Sequence, residues 1–178
     1  WADLDGDGYP DLYVCQYVNW SFDNNPRCSY HSKTNDVCPP KNFDGLPHKV
    51  YRNTPLPSPA GGEGRSAARK FVDVSAEAGL VPAGPDSSKG LGVLLIDVDG
   101  DGKPDVYVAN DTTPKFLYLN RSTPGKIRFE EVGERSGAAR DGRGNANGSM
   151  GLDAGDYDGG GRPALWVTNY ENELPGLY

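Results

Sequence analysis

Two nearly identical runs carry most of the chemistry this sequence offers. Asp3, Asp5, Asp7 and Asp11 sit in Asp-Leu-Asp-Gly-Asp-Gly-Tyr-Pro-Asp, and Asp97, Asp99, Asp101 and Asp105 in Asp-Val-Asp-Gly-Asp-Gly-Lys-Pro-Asp. Carboxylates therefore fall at positions 1, 3, 5 and 9 of each run. Acids at alternate positions of a short loop repel one another unless a cation lies among them. A hard cation such as calcium takes six to eight oxygens at about 2.3–2.6 Å. A tightly curled loop can aim several Asp side chains at one centre, and glycine at position 6 permits the curl. Position 7, Tyr9 or Lys103, can offer its backbone carbonyl. Both runs are thus read as Ca2+ sites. A third run keeps Asp156 and Asp158 but has Gly160 and Ala164 where the other acids stood, so it should bind weakly or not at all.

An EF-hand loop needs an acid at position 12. That position is Val14 in the first run and Val108 in the second, which excludes it. Nucleophilic or acid–base catalysis finds no constellation. The two histidines, His31 and His48, lie within the insertion described below, and no serine has an evident histidine partner. The expectation is that the chain is not an enzyme.

The Asp runs are one landmark of a longer repeat. Val50-Tyr51-Arg52-Asn53 corresponds to Leu117-Tyr118-Leu119-Asn120 and to Leu177-Tyr178. Phe71-Val-Asp-Val-Ser-Ala-Glu-Ala-Gly-Leu80 corresponds to Phe129-Glu-Glu-Val-Gly-Glu-Arg-Ser-Gly-Ala138. The base period is about 59 residues, the distance from Asp97 to Asp156; the first copy is lengthened by insertions near 19–48 and 55–70. Repeats start near 1, 91 and 150. In the middle copy four strand-like runs stand out, Leu91–Val98, Asp105–Ala109, Phe116–Leu119 and Lys126–Val132, with β-branched residues at alternate positions and turn residues between them. About three repeats of four-stranded antiparallel sheet predict an all-β fold of β-propeller blades, an incomplete propeller, with residues 1–178 belonging to one such domain. Small residues at the strand entries Lys89-Gly90-Leu91 and Ser149-Met150-Gly151 should let blades pack closely.

Loops, Leu-Tyr-x-Asn strands and Phe-x-x-Val segments together resemble the FG-GAP/VCBS repeats of integrin-α-type β-propellers, with particular likeness to bacterial relatives of cartilage acidic protein. The resemblance implies about seven blades in the whole protein, calcium in the hairpin loops between the first two strands of a blade, and a secreted, periplasmic or cell-surface location. It also implies adhesion or binding of a protein or glycan. The alternative is part of a propeller enzyme, or of a lectin-like polysaccharide-binding protein, whose active residues lie outside this chain. Asp3, Asp5, Asp7, Asp11, Asp97, Asp99, Asp101 and Asp105 match the family's ligand positions.

Composition agrees with that reading. Of 178 residues, 24 are Gly and 15 Pro, which fits short elements joined by turns. The formal charge is −7, with no basic cluster, which argues against nucleic acid as a partner. No apolar run reaches the ~18 residues of a membrane span. The chain opens at Trp1 inside an Asp run and ends at Tyr178, and reads as an internal part of a longer protein.

Cys15, Cys28 and Cys38 lie in or beside the first insertion. Strand alignment places Cys15 opposite Ala109 and Thr168, as a buried thiol. Two readings of the others are open: a Cys28–Cys38 disulfide that staples a loop with little core of its own, or a zinc site formed by Cys28, His31, Cys38 and His48. Asn19, Asn110, Asn120 and Asn147 begin Asn-x-Ser/Thr sequons.

Overall fold

A computed structural model describes residues 1–30, 33–56, 68–82, 84 and 87–178. His31 and most of the second insertion (57–67) lie outside the described residues. Three antiparallel sheets follow one another along the chain as propeller blades. The middle sheet is the complete one, formed by β6 (Gly90–Ile96), β7 (Asp105–Asn110), β8 (Phe116–Asn120) and β9 (Phe129–Glu131), paired in that order. The first sheet pairs β1 (Leu12–Val14), β4 (Lys49–Pro55) and β5 (Arg69–Asp73); Ala2 bridges Asp11 as Ile96 pairs with Asp105 in the middle sheet. The third sheet pairs β10 (Ser149–Gly155), β11 (Ala164–Asn169) and β12 (Gly176–Leu177). Two expected strands are shorter than the sequence indicated. Val98 belongs to the loop after β6, because its amide donates to Asp105 Oδ2 (2.9 Å) and not to a sheet partner. Residues 126–128 close a turn in which Thr123 and Lys126 bridge, so β9 begins only at Phe129.

Period-two alternation explains how blades stack. Val106 and Val108 of β7, with Phe116 and Tyr118 of β8, face the first blade and pack with Leu4, Tyr13, Val50 and Phe129. Tyr107 and Leu117 face the third blade and pack with Leu165 and Val167. Burying each such side chain contributes roughly 1.5–3 kcal/mol, and the middle blade collects this on both faces. The expected close approach at β6 is present. A Cβ on Gly90 would lie 2.8 Å from His48 Nε2 and 2.9 Å from Cys15 Cβ, both in the first blade's segment, and one on Gly92 3.3 Å from Met150 O in the third. Cys15 is only half buried, and burial raises its pKa.

The Phe-x-x-Val landmark becomes an outer strand followed by a single helical turn: α1 (Ser75–Ala78) after β5, and α2 (Gly133–Ser136) after β9. Each turn stops at a left-handed glycine, Gly79 (φ 84°) and Gly137 (φ 83°).

The first insertion joins β1 to β4 and carries the hairpin β2 (Cys28–Tyr30) and β3 (Lys33–Asp36), then a 3-10 turn at Pro40–Asn42. Cys28 and Cys38 are joined by a disulfide with Cα atoms 5.2 Å apart. The zinc reading is therefore corrected: both thiols are consumed. His48 joins no cluster that could hold a metal among the described residues, and is 2% exposed with its Nδ1 sharing a hydrogen bond of 2.7 Å with the Tyr13 hydroxyl. Burial holds it neutral, with a pKa lowered to about 4. Three of the four sequons are corrected as well, since Asn110, Asn120 and Asn147 are buried and hold internal positions.

Candidate metal centres

The second and third Asp runs form the hairpin loops between β6 and β7 and between β10 and β11, and the first leads into β1 from the Ala2–Asp11 bridge. In the first two loops the carboxylate at position 1 curls the chain around itself. Asp3 accepts from the amides of Asp7 (3.0 Å) and Gly8 (2.8 Å). Asp97 accepts from Gly100 (2.7 Å), Asp101 (3.2 Å) and Gly102 (2.8 Å). Glycines at positions 4 and 6 take the positive φ this curl requires, 73° and 87° in the first loop, 79° and 83° in the second.

The carboxylate at position 9 works at the other end. Asp11 accepts from Leu4 N (3.0 Å) and Asn53 N (2.8 Å); Asp105 accepts from Val98 N (2.9 Å) and Asn120 N (2.7 Å). Each therefore ties its loop to the blade's third strand, at the Asn of the Leu-Tyr-x-Asn landmark. The Asn side chain adds a second tie, from Asn53 Nδ2 to Pro10 O (3.1 Å) and from Asn120 Nδ2 to Pro104 O (2.9 Å). The landmark was visible in sequence, but its service to the loop was not.

Oxygens of Asp3, Asp5 and Asp11 all lie within 4.8 Å of one another, as do those of Asp97, Asp99 and Asp105. Two oxygens on opposite sides of a calcium ion at about 2.4 Å would be about 4.8 Å apart, so both triads fit such an ion. Asp7 and Asp101 stand outside these triads and turn toward arginines. Arg69 Nη2 meets Asp7 Oδ2 at 3.1 Å while its guanidinium lies 3.4 Å from the Tyr9 ring centroid. Arg121 Nη1 meets Asp99 Oδ2 at 2.9 Å and Asp101 Oδ2 at 3.4 Å. Tyr9 and Lys103 occupy position 7 with their amides bonded to Asp7 and Asp101 Oδ1. The Lys103 ammonium reaches Ser122 O (3.2 Å). The arginines escaped sequence reasoning because Arg69 opens β5, Arg121 follows the end of β8, and neither belongs to a motif.

Electrostatics match a site short of positive charge. Desolvation pushes Asp5, Asp11 and Asp105 above the ordinary carboxylate range, and neighbouring Asp charges add to it. The third loop differs in charge but not in path. Gly159 and Gly161 have φ 72° and 79°, and Gly161 N donates to Asp156 Oδ2 at 2.8 Å, as Gly8 and Gly102 do to their own first Asp. Asp156 and Asp158 join no triad among the described residues.

No solved structure matches this chain significantly. Three curated relatives match over 62 residues: cartilage acidic protein 1 of Homo sapiens at 42% identity, of Mus musculus at 40% and of Xenopus tropicalis at 36%. Those 62 residues are 35% of this chain and 9% of each relative, so the match spans about a tenth of the relatives' length. Residues 97–167, from the second Asp loop through most of β11, match the FG-GAP-like repeat; sheet order, loop geometry and this match together identify that stretch as an FG-GAP-like repeat in an all-β, propeller-type fold.

Proposed function

We propose that the chain is a calcium-binding part of an extracellular β-propeller, non-catalytic, that serves adhesion or the binding of a protein or glycan partner. The observation that carries the metal half is the convergence of Asp3, Asp5 and Asp11, and of Asp97, Asp99 and Asp105, within 4.8 Å. Calcium bound there supplies positive charge to loops whose carboxylates otherwise repel one another. It would be held by those six Asp side chains, with Asp7, Asp101 and the carbonyls of Tyr9 and Lys103 available to complete the oxygen shell. Two ions would bring the formal charge from −7 to −3. The Cys28–Cys38 disulfide supports an oxidising, secreted or surface location. Among the described residues no helix is long and apolar enough to cross a membrane. The likeness to cartilage acidic protein 1 supports a role outside the cell for the whole protein.

The test is calorimetry on the full-length protein. Two calcium ions should bind to this segment, with Kd on the order of 10⁻⁴–10⁻³ M as in other extracellular modules. Absence of calcium binding, or preference for zinc, rejects the reading.

A further inference from the structure

The first Asp loop is covered by the second blade. Asp5 is buried, at 3% exposure, although Asp3 and Asp7 beside it are partly open to solvent. The cover is the turn that joins β8 to β9. Thr123 and Lys126 exchange both backbone hydrogen bonds, at 3.0 and 2.7 Å, around Pro124 and Gly125. Proline followed by a glycine at φ 83° is the composition of a type II turn. Those bonds leave the Gly125 amide without an acceptor inside the turn, and it donates to Asp5 Oδ2 at 3.0 Å. A second tie runs beside it. Asn120 Nδ2 donates to Leu4 O at 2.9 Å, and Leu4, between Asp3 and Asp5, donates its own amide to Asp11 Oδ2 at 3.0 Å. The Leu4 side chain belongs to the same buried cluster as Val106, Phe116 and Ile127 of the second blade. The second loop lacks such a cover: among the described residues, no group of the third blade donates to Asp97, Asp99 or Asp101.

The charge of the first loop is therefore a matter for both blades. Without a cation, Asp3, Asp5 and Asp11 hold carboxylate oxygens within 4.8 Å of one another, with Asp5 beneath the turn. Buried charge without a partner is costly, and water relieves it only if the turn lifts off Asp5. A calcium ion among the three carboxylates removes that reason to open. Ion binding and closure of the turn then favour each other, and by linkage the effect is reciprocal.

We propose that calcium in the first loop clasps the first blade to the second, with the Gly125 amide and the Asn120 carboxamide as the second blade's positioning groups. This rests on the calcium half of the function proposed above. The experiment is hydrogen exchange on the full-length protein, with calcium and with chelator, read by mass spectrometry over the 123–126 turn. Calorimetry on the same preparations reports which loops bind. Asp99→Ala disables the second loop and leaves the first. Calcium should still slow exchange at the turn in this variant, by roughly fivefold or more, the lower end of ordinary coupling between sites. Asp3→Ala removes a ligand of the first loop, and the slowing should vanish while the second loop still binds. Unchanged exchange at the turn in Asp99→Ala, with the first-loop ion bound, overturns the clasp and leaves calcium binding in place. So does a slowing in Asp3→Ala equal to that in wild type, which would assign it to Arg121 and Lys103 beside the second loop. A slowing no greater at the turn than at 156–161 in the third blade also overturns it, as a general stabilisation. Absence of calcium binding in wild type rejects the calcium reading and the clasp with it.

Discussion

The second and third Asp loops trace the same curl with different chemistry. Both begin with an Asp that accepts from a glycine amide five residues on, at 2.8 Å, and both place glycines with positive φ at positions 4 and 6. Yet Asp105 is buried and ties two amides, whereas Ala164 ties none by its side chain. Shape and charge are thus encoded by different positions. Position 1 and the glycines draw the loop, and position 9 anchors it to the sheet and completes a carboxylate triad. A loop can lose the second set and keep its path.

The largest effect should come from the anchor. Asp105→Ala leaves the buried Asn120 amide and the half-buried Val98 amide without acceptors, at roughly 1–3 kcal/mol for the first and less for the second, so a loss of about 2–5 kcal/mol is expected. Ala164→Asp in the third loop should change stability far less. Denaturant unfolding of the full-length protein in chelator separates this anchor from any ion; equal effects would break the distinction drawn between the loops.

Calcium removal comes next. An ion at 100 times its Kd stabilises by about 2.7 kcal/mol. Asp99→Ala should abolish the part of the calcium-dependent melting shift that belongs to its loop, and Asp158→Ala should leave the shift nearly intact. A comparable loss in both variants would show that the third loop is a working site.

Acid titration in chelator should separate the loops by sign. Asp105 titrates above the ordinary Asp value because of desolvation, and Asp156 below it because the Gly161 amide holds its charged form. For Asp105 the folded state retains its proton longer than the unfolded one. Its ionisation therefore costs stability as pH rises from the ordinary carboxylate pKa through the raised one. For Asp156 the contribution is present above the unfolded pKa and is lost as pH falls through the lowered one. Carboxyl-carbon NMR reads both midpoints, and the comparison is lost if Asp105 titrates at or below Asp156.

The smallest effect concerns Arg121. Its guanidinium engages Asp99, a member of the carboxylate triad, whereas Arg69 engages Asp7, which stands outside its own. Arg121→Met should tighten calcium binding at the second loop by a few-fold, in keeping with the modest worth of exposed ion pairs. Arg69→Met should change the first loop less. Calorimetric affinities that fall in either variant would mean that the arginines support the loops and do not compete with the ion.

The repeat, the loops and the alternation of β7 and β8 were legible because each is a local pattern: period two, Asp and Gly at fixed offsets, three landmarks in one order. Cys28 and Cys38 were legible as a pair within one loop, and the structure chose between disulfide and zinc. What stayed hidden joins distant residues. Arg69 reaches Asp7 across 62 positions, and Tyr13 reaches His48 across 35. The buried sequons were hidden for a related reason. Asn120 reads as an acceptor site in a three-residue window, and only the sheet shows that its side chain is spent on Pro104 and Leu4 carbonyls.

The first Asp loop borrows part of its frame from the second blade. Gly125 N donates to Asp5 Oδ2 at 3.0 Å across 120 positions, and Asn120 Nδ2 donates to Leu4 O at 2.9 Å across 116. During synthesis the loop that leaves the ribosome earlier therefore waits for a turn made much later before its second carboxylate has that amide. The order of translation and the order of site completion run in opposite directions here. A chain interrupted before Gly125 would expose an acidic loop that has its curl but lacks its cover.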